Sequence, residues 1–161
     1  MSGIMPAMDL DQLKGLQVKF RQGVDKLHLL GKCLEKLGQN QGLDLRVLGV
    51  EEEEGELVFR FAGTRYYVRV RLTDRSVGDP GMSYSVPMGW LDWGRYGTSG
   101  QREPTEQANY YEERGILCDL DKDEFYCNFT SCEDERLQRG LLQKLTRLVG
   151  RTVAQNNVRA L

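Results

Sequence analysis

A single histidine, His28, serves the whole chain. Acid–base or nucleophilic chemistry through imidazole would have to run through it. It follows Leu27 at the margin of an apolar stripe, with no nucleophile cue nearby, so a packing role is expected. Long apolar runs are also missing: nothing approaches the roughly 20 consecutive apolar residues of a membrane-spanning helix. Residues 1–8 have neither a basic start nor a sustained apolar stretch, which predicts no signal peptide and a cytoplasmic protein with a disordered leading segment. Four cysteines, Cys33, Cys118, Cys127 and Cys132, are too few to scaffold 161 residues with disulfides, and reduced, packed thiols are expected. Structural zinc recruits ligands in closely spaced pairs. Only Cys127 and Cys132 come near that spacing, so no metal is assigned. Gly94, Gly97 and Gly100 neither follow G-x-G-x-x-G nor open a helix, and no nucleotide cofactor is expected.

Excess charge of one sign is absent as well. With 22 Lys+Arg against 24 Asp+Glu the balance is −2, which argues against a whole-protein pull toward nucleic acid or an anionic membrane. The distribution is less even. Asp9–Gly38 holds six basic and four acidic residues, whereas Glu103–Glu124 holds eight acidic residues against Arg114 and Lys122. Asp119, Asp121 and Asp123 reproduce the opening of a calcium loop, but the sixth and twelfth places hold Glu124 and Thr130 instead of Gly and Glu. A solvated acidic turn is the expectation there.

What is present is ordinary globular composition: 161 residues, 18.4 kDa, 40% hydrophobic and 29% charged, which predicts one domain. From Asp9 to Gly38 apolar residues recur at Leu13, Leu16, Phe20, Val24, Leu27, Leu30, Leu34 and Leu37, the spacing of a helix stripe. Gly15, Gly23 and Gly31 inside it allow a kink or the close approach of another backbone. Leu43–Val50 reads as a strand. Glu56–Ala62 and Arg65–Leu72 then flank Gly63-Thr64, which suits a two-residue hairpin turn. That turn pairs Phe61 with Tyr66, Phe59 with Val68 and Leu57 with Val70 on one face. The other face pairs Arg60 with Tyr67, Val58 with Arg69 and Glu56 with Arg71.

Met82–Met88 alternates but contains Pro87, making it an edge strand at best. Residues 94–103 read as a flexible loop and Pro104–Arg114 as a short helix bracketed by Pro104 and Gly115. Ile116–Leu120 and Glu124–Phe129 form a second hairpin. Cys132 to about Ala154 carries Leu137, Leu141, Leu145, Leu148 and Val153 at helical spacing, with Thr130 and Glu133 as a capping box. The predicted class is α+β: a mostly antiparallel sheet of five or six strands packed against a long helix from each end of the chain, in the order α-β-β-β-(β)-α-β-β-α.

This order in a small acidic protein resembles the type III secretion chaperones. The resemblance implies a non-enzymatic, partner-binding protein, often a homodimer. These chaperones have no sharp sequence motif, so no functional residue is carried over from them.

Two surfaces are candidates for binding. Trp90, Trp93, Tyr96, Tyr110 and Tyr111 lie in or beside the irregular segment, and such side chains either anchor a protein partner or plug the open end of the sheet. Arg46, Arg60, Tyr67, Arg69 and Arg71 share one sheet face, where they could hold an anionic ligand or single-stranded nucleic acid. A chaperone, adaptor or inhibitor that binds a protein through the sheet and the aromatic segment is the expected function. An enzyme with a pocket that the sequence does not advertise is the alternative.

Overall fold

Asp9 opens the first helix with a capping box: its carboxylate accepts from the Gln12 N–H at 2.8 Å while the Gln12 side chain accepts from the Asp9 N–H at 2.9 Å. The computed structural model describes residues 9–79, 81, 82, 84–117, 127, 128 and 131–160. Helix α1 spans Leu10–Gln41, without a break at Gly23, and ends where Gly42 turns left-handed at φ 64°. The disorder expected for residues 1–8 and the Asp119, Asp121 and Asp123 turn lie outside the described residues.

Seven strands follow: β1 Leu45–Glu51, β2 Glu56–Phe61, β3 Thr64–Val77, β4 Tyr84–Tyr96, β5 Arg102–Glu112, β6 Gly115–Leu117 and β7 Cys127–Asn128. They form one antiparallel sheet in chain order, and helix α2, Glu135–Ala160, closes the chain. The α+β class with a long helix at each end is thus the observed architecture.

The segment read as a short helix, Pro104–Arg114, is instead mostly strand β5. Local sequence favoured the Pro and Gly bracket, but pairing with thirteen-residue β4 supplies the ladder. Pro104 is tolerated because, among the described residues, β6 pairs only with Tyr110–Glu112 and no strand pairs with Pro104 on the side away from β4. Pro87 obeys the same logic. Its half of β4 has only β3 beside it, and β5 joins from Gly89 onward. The flexible loop expected at 94–103 shrinks to a tight turn, since Gly94–Tyr96 belongs to β4 and Arg102 starts β5. In that turn Gly97 N–H donates to Gln101 O at 2.8 Å and Gly100 N–H to Gly97 O at 3.0 Å.

The hairpin turn also moves. Ala62 and Gly63 take φ 49° and 80°, so Phe61 pairs with Thr64, Phe59 with Tyr66 and Leu57 with Val68. A slide of two residues leaves every side chain on its predicted face, because alternation has period two.

One face of the sheet carries the core. Leu27, Leu30, Leu34 and Leu37 of α1 and Leu137, Leu141, Leu145 and Leu148 of α2 bury against Leu57, Phe59, Tyr66, Val68, Leu91 and Trp93. Each such leucine contributes about 1.5–3 kcal/mol on full burial. Val153, counted in the α2 stripe, is half exposed and Thr152 is buried in its place. Helix α2 is capped by Asp134, whose carboxylate accepts from the N–H groups of Arg136 and Leu137; Thr130 of the expected Thr130 and Glu133 pair lies outside the described residues. Arg147 and Arg151 tie it to β5 by ion pairs to the buried Glu106 carboxylate at 3.0 and 3.3 Å. Among the described helices none is long and apolar enough to cross a membrane.

Candidate binding face

Strand alternation sends most of the strand arginines, Arg95 excepted, and half the aromatics to the face that no described helix covers. Their placement follows from register. Arg46 of β1 stands opposite Arg60 of β2, and Arg60 stands opposite Arg65 of β3. Arg69 stands opposite Glu56 on one side and Asp92 on the other, and Arg71 opposite Trp90. All five predicted anion-binding residues, Arg46, Arg60, Tyr67, Arg69 and Arg71, therefore share this face.

Two of the guanidinium groups on the face are held by acids. Arg71 Nε donates to Asp92 Oδ2 at 2.7 Å, with its guanidinium 5.4 Å from the Trp90 ring centroid. Arg102, on β5, donates through Nε to Glu56 and lies 3.4 Å from the Glu54 carboxylate. Tyr96 donates its hydroxyl to the same Glu56, and its ring meets Tyr67 edge-on at 5.5 Å. Tyr67 in turn lies over Gly94, where a Cβ would sit 2.5 Å from the Tyr67 hydroxyl, so only glycine admits the ring. This knot buries Glu56 and Tyr67 although the face is otherwise open.

Burial, then the Asp92 charge, raises the Tyr67 hydroxyl above its ordinary pKa, while burial and the bond to Glu56 raise Tyr96. The hydrogen bond to Glu56 holds Arg102 still more firmly protonated. Both phenols are neutral at pH 7, and the Glu56 and Asp92 carboxylates are committed to partners.

Arg46, Arg60 and Arg65 have no ion pair among the described residues. Three like charges directly opposite one another across β1, β2 and β3 destabilise the sheet. Arg65 also covers the Tyr96 ring at 4.2 Å.

The five predicted aromatic residues do not form one surface. Trp93 and Tyr111 point to the helices and are 1% and 0% exposed. The Trp93 indole donates to Asn109 Oδ1 at 2.6 Å, and the Tyr111 hydroxyl donates to Lys19 O at 2.6 Å. Those two plug the core. Trp90, Tyr96 and Tyr110 stay on the open face, Trp90 donating to Thr73 Oγ1 at 2.8 Å and meeting Tyr110 edge-on at 5.7 Å.

Arg65, Arg95 and Arg102 were missed by sequence reasoning. Arg65 and Arg102 become neighbours of the patch only once the true register is known, and Arg95 fell in the stretch read as a loop. His28 lies midway along α1, half exposed, with Nε2 2.9 Å from Glu52 Oε1. Among the described residues no three His, Cys, Asp or Glu side chains converge as a metal site requires. No protein-family model, curated protein or solved structure matches this chain.

Proposed function

We propose that this chain is a non-enzymatic binding module that takes an acidic segment of a protein partner on its open sheet face. The observation that carries this reading is the row Arg46, Arg60 and Arg65, exposed, directly opposite one another and without an ion pair among the described residues, whereas Arg71 and Arg102 on the same face are held by acids. Carboxylates of a partner would relieve that repulsion, and bidentate pairing to arginine gives both strength and register. Trp90 and Tyr110, half-buried at the far end of the same face, offer apolar contact beside the charges.

Single-stranded nucleic acid is the competing partner, and ring geometry argues against it. Base stacking needs free aromatic faces. Here Tyr67 is buried, Arg65 covers Tyr96, and Arg71 and Tyr110 lie against Trp90.

Titration of a short poly-glutamate peptide, followed by Trp fluorescence at low salt, tests the reading. Saturable binding that weakens at least about tenfold, or about 1.4 kcal/mol, in Arg46→Ala/Arg60→Ala supports it. Tighter binding of an oligouridylate of equal charge, or no response to either, rejects it.

A further inference from the structure

We infer that the cleft at the turn end of the sheet is a binding site for a phosphate group. The inference rests on the reading of this region as anion-directed and names the chemical group that it takes. The β2–β3 turn, the β4–β5 turn and the end of α2 enclose a cleft of about 440 Å³, within the usual range of about 300–1,000 Å³ for small-molecule sites. Arg60, Arg65 and Arg95 line it together with Thr64 and Thr98, and no Asp or Glu does.

Arg95 carries the argument. Its side chain is 5% exposed. Nε donates to Glu103 Oε2 at 3.0 Å and Nη1 to Asn156 Oδ1 at 3.2 Å, while the enclosed Nη2 has no hydrogen-bond partner among the described residues. A guanidinium cannot shed its proton to escape burial. Buried donors are almost always satisfied, so this one marks the place of an acceptor. Arg60 and Arg65 face each other across β2 and β3 on the open side, whereas Arg95 points to the α2 side of β4, and all three line the same cleft at the end of the sheet; Arg60 and Arg65 have no ion pair among the described residues. The Tyr96 ring holds the Arg65 guanidinium at 4.2 Å, so it is positioned rather than free in solvent.

The donors approach from three strands and two turns. A planar carboxylate, with two oxygens, answers one guanidinium fork. A tetrahedral dianion presents oxygens in several directions and matches the excess positive charge of three arginines against the single carboxylate of Glu103. Phosphate monoesters supply that group whether they are borne on a protein side chain or on a nucleotide.

Thermal unfolding of the full chain in potassium phosphate, against potassium chloride at equal ionic strength, tests the site. Phosphate should raise Tm saturably, as a ligand of the folded state does, and Arg95→Gln should remove the rise. Should that variant fail to fold, Arg60→Ala/Arg65→Ala, at exposed positions, should weaken the apparent phosphate affinity at least about tenfold. A phosphate response equal in wild type and the double variant, or equal to that of chloride, overturns the inference. Phosphoserine and adenosine monophosphate, titrated in parallel, identify the source by which binds tighter. No poly-glutamate binding by the wild type, with the arginine-dependent phosphate response present, rejects the acidic-segment reading alone, and the converse rejects the phosphate site alone.

Discussion

The ring of Tyr111 lies directly on the backbone of Gly89: a Cβ built at Gly89 would come within 2.0 Å of the Tyr111 Cζ. On its other side the ring abuts Gly23 of α1, where a Cβ would come within 2.6 Å of the hydroxyl. Two glycines thus open a slot through which one tyrosine from β5 reaches the Lys19 carbonyl of α1. Gly23, read from the sequence as permitting a kink or the close approach of another backbone, admits a tyrosine side chain instead. Gly89→Ala should cost about 3 kcal/mol in urea unfolding, the upper part of the range for overpacking. In combination with Tyr111→Leu it should cost less than the sum of the two single changes, because the clash disappears with the ring. Additive costs would show that the slot is not the reason for the glycine.

The same tyrosine predicts a pH dependence. Burial raises the Tyr111 hydroxyl well above its ordinary 10.0 in the folded state. Between the unfolded and folded values the unfolded chain has lost a proton that the folded chain keeps. Stability is therefore intact below pH 10 and falls as pH rises beyond it. Lys19, 5.1 Å from the Tyr111 ring centroid and lowered by burial, works the other way, since its penalty fades as it deprotonates. Comparison with Tyr111→Phe isolates the phenol: the wild type should lose stability more steeply above pH 10 than the variant. Parallel curves would contradict the assignment.

Trp90 and Trp93 should separate cleanly. Trp93 is fully buried with its indole N–H satisfied by Asn109, so Trp93→Ala should cost about 3–5 kcal/mol as a large core truncation. Trp93→Phe, which removes the donor, should cost about 1–3 kcal/mol by leaving the Asn109 oxygen unpaired. Trp90→Ala, at a half-buried site on the open face, should lower stability much less while weakening poly-glutamate binding. Unfolding curves and the titration, run on the same preparations, decide between core plug and contact surface for each residue.

The faces of the β2–β3 hairpin were legible because alternation survives a register error of two. Leu57, Phe59, Tyr66 and Val68 stayed on the core side and Arg60, Tyr67, Arg69 and Arg71 on the open side. Which two residues turn was not legible, since a rule that prefers glycine first points to Gly63-Thr64, while Ala62 adopts φ 49° ahead of Gly63. A left-handed alanine is strained, and Ala62→Gly should leave stability equal or higher by about 1 kcal/mol in urea unfolding. Strand β5 was hidden for another reason: its Pro and Gly punctuate like a helix, and the glycine-rich turn that joins it to β4 reads as a loop. With it went Arg95, whose glycine neighbours serve a turn and the Tyr67 ring and do not make a mobile loop. The arginine row was readable as a face; the cleft beside it needed the two turns brought side by side.

The Sγ atoms of Cys33 in α1 and of Cys132, just ahead of α2, lie 2.7 Å apart. The buried Cys33 and half-buried Cys132 are 99 positions apart in sequence. Joining them would close a loop whose entropy, for about 100 residues, corresponds to roughly 4.7 kcal/mol of stabilisation in the chain-entropy model. Mild oxidation with oxidised glutathione should therefore convert the pair to a disulfide, with glutathione reduced in exchange. In a Cys118→Ser/Cys127→Ser background the product should migrate faster on a non-reducing gel and unfold at a higher temperature. Both effects should disappear with Cys132→Ser. Two titratable thiols remaining after prolonged oxidation would contradict the close approach of α1 to the start of α2, and with it the packing that holds both helices on one face of the sheet.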